Sequence, residues 1–211
     1  MIKRFHLEIL PDHQRLLFKM FAEQEWISSF YLAGGTALAL QIGHRQSVDF
    51  DFFIKTDFTT ADIIHILQDL GEFELFSESW NTINGLLNNV RVSFFSYRYP
   101  LLCDLHTYLN ISVAGMEDIA AMKLEAVSGR GSRKDFIDMF YLLDCLSISE
   151  MFEKHKKKYG IKVPNNYHLL KSLVYFEDAE REPMPHMLYS VLWDDVKKRM
   201  ISEVRKFTED F

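Results

Sequence analysis

One stretch of about 22 residues limits what this chain can fold into more than any other. Phe30-Tyr31-Leu32-Ala33 is a short apolar run of strand type, broken by Gly34-Gly35. Thr36 to Ile42 then reads as a helix ended by Gly43. Val48 to Ile54 alternates Asp49 and Asp51 with aromatic neighbours, which is strand behaviour. Carboxylates at i and i+2 on a strand share a face, so Asp49 and Asp51 are expected side by side. Two like charges that close are unfavourable unless a cation sits between them. Hard divalent ions such as Mg²⁺ or Mn²⁺ take carboxylate oxygens together with substrate phosphates. The pair therefore reads as a metal clamp for a polyphosphate.

The Gly-Gly-Thr turn supplies the complementary half. Glycines let the backbone approach an anion closely, and the first turn of a helix presents N–H groups and the positive end of its dipole. Gly34, Gly35 and Thr36 are thus candidates for cradling phosphates, with the Thr36 hydroxyl as a further donor. Arg45 and Ser47 lie in the loop returning to the acidic strand, where Arg45 is in reach of the same phosphates. Taken singly, a Gly-Gly turn is usually only a turn and an Asp-x-Asp strand often a solvated face. Their combination within one short segment is far more specific. No GxxxxGK[ST] run is present, so this is not a P-loop.

The remaining chain reads as two halves. Residues 12–26 form a first helix, residues 60–70 another, and Phe73 to Tyr97 an antiparallel meander with turn chemistry at Asn84-Gly85 and Asn88-Asn89. A short strand is expected near Asn110–Val113. Beyond Gly115 the chain turns helical: Met116 to Val127, a helix capped by Ser132 running to Leu146, then helices near 166–174 and 185–208. The expected division is an α/β core over 1–112 and a helical lobe over 113–211.

At 211 residues and 48% hydrophobic content the chain can bury one core with an appended lobe. A net charge of -6 excludes general nucleic-acid binding by bulk charge. The run Lys154-His155-Lys156-Lys157-Lys158 reads as a solvated face or an RNA landing site. Cys103 and Cys145 have no CxxC spacing and read as buried thiols in a reducing compartment. Met1 to His6 lacks an apolar signal core and no run is long enough to span a bilayer, so a cytoplasmic protein without membrane contact is expected.

Leu32 to Leu38 followed by Gly43 to Phe53 resembles the AbiEii/AbiGii toxin family of the nucleotidyltransferase superfamily. Val92 to Tyr97, Ile119 to Leu124, Arg133 to Asp138 and Leu173 to Glu180 are similar to later elements of that family. The resemblance implies an α+β fold: a polymerase-β-like mixed sheet with flanking helices, followed by a helical lobe. It implies transfer of a nucleoside monophosphate from an NTP to a tRNA or protein acceptor, and a cognate antitoxin. Asp49, Asp51, Lys134 and Asp138 would be catalytic, with Lys123 on the nucleotide. Spacing alone makes Lys134 and Asp138 an ordinary i, i+4 pair, and makes Lys123 either a snorkelling side chain or an anion ligand. In one respect the chain departs from the superfamily, whose central strand carries a third carboxylate; Ser93 stands there. A one-metal enzyme, an acid from the helical half, or a non-catalytic module that binds nucleotide or a partner are the alternatives.

Overall fold

The computed structural model describes residues 5–160 and 166–209, so Met1 to Arg4, read above as lacking a signal core, lie outside the described residues. Two compact units result. The first runs through Pro100 and resumes over Asp104–Ala114; the second takes Leu101–Cys103 and everything from Gly115 onward.

The first unit is built on a mixed sheet of seven strands: β1 (Tyr31–Ala33), β2 (Phe50–Ile54), β3 (Phe73–Ser79), β4 (Thr82–Leu87), β5 (Val90–Ser96), β6 (His106–Tyr108) and β7 (Ile111–Val113). Their order is β3-β4-β5-β2-β1-β7-β6. Strands β2 and β5 pair in parallel, as do β1 and β7, and the other neighbours are antiparallel. The helices are α1 (Asp12–Ala22), α2 (Gly34–Ile42) and α3 (Thr60–Leu70). Alternation along β2 and β5 turns Phe50, Phe52, Val92 and Phe94 to one face, where all four are buried. Phe21 of α1 closes on Phe52 with ring centroids 5.1 Å apart, and Phe52 stacks on Phe94 at 5.2 Å. This aromatic cluster is the core of the unit. Burying each such ring stabilises the fold by roughly 1.5–3 kcal/mol.

Several expectations are corrected here. Asn84-Gly85 is no turn: both residues lie inside β4, and the hairpin turns instead at Trp80-Asn81, with Asn81 at φ 55°. Gly85 serves close approach, because a Cβ there would lie 2.5 Å from the Glu74 carbonyl oxygen and 2.7 Å from the Phe73 ring. The first helix stops at Ala22, and Trp26–Ser29 form a 3-10 turn that lays Trp26 against Phe21 and Phe30. Helix α2 begins at Gly34, two residues earlier than expected. Strand β6 was not anticipated; three residues with two half-buried ends carry too little pattern.

The second unit holds α4 (Met116–Gly129), α5 (Arg133–Leu142), α6 (Ile148–Tyr159), α7 (Asn166–Ser172), α8 (Glu177–Glu180) and α9 (Trp193–Glu209). Ser147 and Glu150 form a capping box at the start of α6. The basic run in α6 is neither a solvated face nor an open landing site. Lys158 is fully buried against Asp118 at 2.6 Å, Lys154 reaches Glu117 at 2.7 Å, and His155 reaches Glu125 at 2.8 Å. Only Lys156 and Lys157 of that run are exposed. The Asp118 carboxylate also accepts from the backbone N–H groups of Leu102 and Cys103, which ties those residues to the helical unit. Burial, then the Asp118 charge, pushes the Cys103 thiol up to about 11. Neither thiol is fully buried: Cys103 is half-buried and Cys145 exposed. No helix among the described residues is long and apolar enough to cross a membrane.

The close approach at Gly85 gives a test. Gly85→Ala should lower unfolding stability by about 1–3 kcal/mol through overpacking against Phe73 and the Glu74 carbonyl. Urea denaturation followed by far-UV dichroism measures it.

Candidate active site

The polar face of the sheet is set by the same alternation that builds the core. Asp51 lies within β2 between Phe50 and Phe52, so its side chain leaves from the opposite face. Across the sheet Asp51 pairs with Ser93, Ser93 with Asn84, and Asn84 with Ser77. Asp51 therefore stands at the head of a row of neutral oxygens and an amide. Asn84 Nδ2 donates to Ser77 Oγ at 3.1 Å. Ser93, the position read as lacking an acid, is thus the direct parallel neighbour of Asp51, and 5% exposed. Along the same face, Phe53 stacks on Phe95 at 5.1 Å and on Tyr31 at 5.8 Å.

Pairing of Ala33 with Asp51 brings the start of α2 to this row. Gly34 enters the helix at φ 72°, a left-handed conformation that side chains resist. A Cβ on Gly34 would sit 3.2 Å from Asp51 Oδ2. Glycine there avoids a tight contact with the Asp51 carboxylate. The N-cap residue is Ala33, whose side chain has no acceptor for the first-turn N–H groups.

Asp49 lies one residue ahead of β2 and is half-buried, like Asp51. Its backbone is held by a hydroxyl relay. Thr36 Oγ1 donates to the Asp49 carbonyl oxygen, and lies 2.7 Å from Ser47 Oγ. A hydroxyl has one proton, so Ser47 donates to Thr36 and Thr36 to Asp49. Thr36 and Ser47 thereby position the acidic loop against α2. Arg45 is buried at 4% exposure and its Nη1 donates to the Gln46 carbonyl at 3.0 Å. Among the described residues no group of three or more His, Cys, Asp or Glu side chains converges as a metal site.

The candidates of the helical unit form their own cluster. Lys123 of α4 bridges two acids of α5, Asp135 at 2.9 Å and Asp138 at 2.5 Å, and both acids are fully buried. Arg130 grips Asp135 with two bonds of 2.8 and 3.0 Å, and Ser132 Oγ donates to it at 2.6 Å. The buried Lys123 and the partly exposed Arg130 balance the two buried carboxylates. Burial alone would raise the Asp135 carboxyl; the Lys123 charge, the Arg130 contacts and the Ser132 hydroxyl together hold it well below the usual carboxylate range. Ser132 begins α5 as expected, but its hydroxyl goes to the Asp135 side chain instead of a backbone N–H. Lys134, in contrast, has an exposed side chain. Asp135 escaped sequence reading because its partners lie 12 residues back on α4 and 5 back in the preceding turn.

The profile of the nucleotidyl transferase AbiEii toxins of type IV toxin–antitoxin systems matches residues 15–102, a span that holds β1 to β5, α2 and both carboxylates. An uncharacterized protein of Aquifex aeolicus (strain VF5) is 35% identical over 192 residues, covering 87% of this chain and 90% of that protein. The chain belongs to the AbiEii toxin family. At the level of fold, the crystal structure of an H. pylori protein assigned as a nucleotidyltransferase superposes with a TM-score of 0.58. It is 11% identical and the match covers 93% of this chain and 94% of that one. The expected mixed sheet with flanking helices is therefore what the chain adopts.

The buried cluster makes a prediction about acid. An acid held below its ordinary value stabilises the fold above that value and ceases to as pH falls. Wild-type stability should therefore drop below about pH 3.8, the ordinary value for this carboxyl. Asp135→Asn should cost roughly 1–3 kcal/mol at neutral pH, because Lys123 keeps Asp138 while the charged acceptor of Arg130 and Ser132 is lost, and should flatten that acid limb. Urea titrations at pH 3 to 7 measure both.

Proposed function

We propose that this AbiEii-family chain transfers a nucleoside monophosphate from an NTP to an acceptor hydroxyl on RNA, such as a tRNA, or on protein. The observation that carries this reading is the meeting of Asp51 with the first turn of α2 across the Ala33–Asp51 pair. One element offers N–H donors and a positive dipole end; the other offers carboxylate oxygens. A divalent cation such as Mg²⁺ or Mn²⁺ suits these oxygens, and the missing Cβ at Gly34 spares Asp51 Oδ2 a tight contact. Asp49 and Asp51 would hold it. Such an ion supplies charge neutralisation on phosphoryl oxygens.

The chain's own groups supply positioning. Gly34, Gly35 and Thr36 present backbone donors to the phosphates, while the Ser47–Thr36 relay fixes the Asp49 loop. Phosphoryl transfer depends on positioning and charge stabilisation more than on covalent participation. In the helical unit, Lys134 is the exposed candidate for contacting an anionic substrate. We assign Lys123 and Asp138 to holding α4 on α5, because each is buried in their mutual ion pair. Membership of a type IV toxin family also supports a cognate antitoxin as partner and action in the cytoplasm.

A second reading is favoured by one observation. Ser93, a neutral residue, is the nearest neighbour of Asp51 on the central strand, so a module that binds nucleotide without turnover also fits. A single experiment separates them. Incubation with α-labelled NTPs, Mg²⁺ and a cell extract should label an acceptor and release pyrophosphate. Asp49→Asn with Asp51→Asn should cut labelling about a thousandfold or more, the loss of several kcal/mol of charge stabilisation. Nucleotide binding with no labelled acceptor under any condition would favour the module, and labelling unchanged in the double variant would refute transfer at this site.

A further inference from the structure

The β3–β4 hairpin carries a feature that the nucleotide site does not use. Strand β3 is the sheet edge, and its register slips between Leu75 and Ser77, leaving Phe76 as the bulged residue. Phe76 is 48% exposed and the Arg91 guanidinium lies over its ring, 5.8 Å from the centroid. At the turn, Trp80 is 78% exposed, with the Arg98 guanidinium 5.4 Å from its ring. The second arrangement is anchored. Arg98 is held by Asp57 at 2.5 and 2.6 Å, Asp57 accepts from Asn81 Nδ2 at 2.9 Å, and Asn81 is buried.

We propose that Phe76 and Trp80, each backed by an arginine, form a stacking platform for unpaired bases of a single-stranded nucleic acid. Exposed rings paired with guanidinium groups are the elements by which single strands are bound without sequence readout. The platform is continuous with the carboxylate row. From Asp51 the row crosses Ser93 and Asn84 to Ser77, the residue next to Phe76, a path of three strand spacings or ~14 Å. Charge argues against a duplex. Glu74 stands opposite Leu86, which stands opposite Arg91, and Asp57 offsets Arg98, so the patch has little net field for phosphates. This inference rests on the transfer reading for its direction, and names the acceptor as RNA with an unpaired end instead of a protein.

Fluorescence anisotropy with a labelled eight-nucleotide oligoribonucleotide, without NTP or metal, tests the platform apart from catalysis. The wild type should bind with shallow salt dependence. Phe76→Ala and Trp80→Ala should each weaken binding about tenfold, Trp80→Phe should keep most of it, and a blunt duplex should not compete. Leu192→Ala, an exposed apolar control in the other unit, should change nothing. Crosslinking of α-labelled NTP should persist in the hairpin variants. No binding by wild type, binding as tight as wild type by either alanine variant, equal competition by duplex, or labelling confined to a protein acceptor would each overturn the proposal. So would loss of NTP crosslinking in the hairpin variants, since the rings would then be supporting the fold. Oligonucleotide binding that fails while crosslinking and labelling stand removes this inference alone. Labelling that survives Asp49→Asn with Asp51→Asn removes the transfer reading and leaves the platform to its own result.

Discussion

The parallel pairing of β2 with β5 is the constraint on which the first unit depends. In that register Phe50 and Phe52 meet Val92 and Phe94 on one face, and Asp51 meets Ser93 on the other. A slip of one residue would send the carboxylate into the aromatic cluster and the rings to the polar side. The cost of burying an unpaired carboxylate far exceeds that of losing one ring contact, so the register is strongly enforced. Core and site are consequences of one set of backbone bonds. The start of α2 inherits its place from the same arrangement, through the antiparallel pairing of β1 with β2.

In the helical unit a different interaction sets the order. Lys123 between Asp135 and Asp138, and Lys158 against Asp118, are ion pairs with no exposure to water on the acid side. Such pairs contribute less to stability than apolar packing of equal volume, but a mismatched neighbour strands a charge. They therefore select which helix faces meet: α4 on α5 through the first pair, α4 on α6 through the second.

The local half of this structure was legible in the sequence and the long-range half was not. Strand, glycines, helix, loop and acidic strand follow one another within a few turns of chain, so periodicity and turn residues located Gly34, Thr36 and Asp51, whereas Asp49, expected inside the strand, lies one residue ahead of it. The neutral residue at position 93 was also visible, through the resemblance to a superfamily whose central strand carries an acid there. By contrast, the partners of Lys123 and Lys158 lie 12 and 40 residues away, beyond the reach of helical spacing. Lys154 to Lys158 looked like a solvated charge run because the acids of α4 that receive it are not adjacent in the chain. Gly85 looked like a turn because a glycine needed for close approach and one needed for a turn are the same letter. Thr36 was read as a phosphate donor, and only the fold shows its proton directed to the Asp49 carbonyl.

The two faces of β2 and β5 answer to different demands, and this bears on how such a chain can change. Replacing an acid by serine at position 93 removes nothing from the aromatic cluster and relieves Asp51 of a like charge at the adjacent register. The fold is then indifferent to the exchange, and a descendant that had given up its chemistry would look as well folded as one that had kept it. Conversely, rings in the core can be traded for others of similar volume with no sign on the polar face. Fitness to fold and fitness to react are recorded on opposite sides of the same two strands, and selection can read either one without the other.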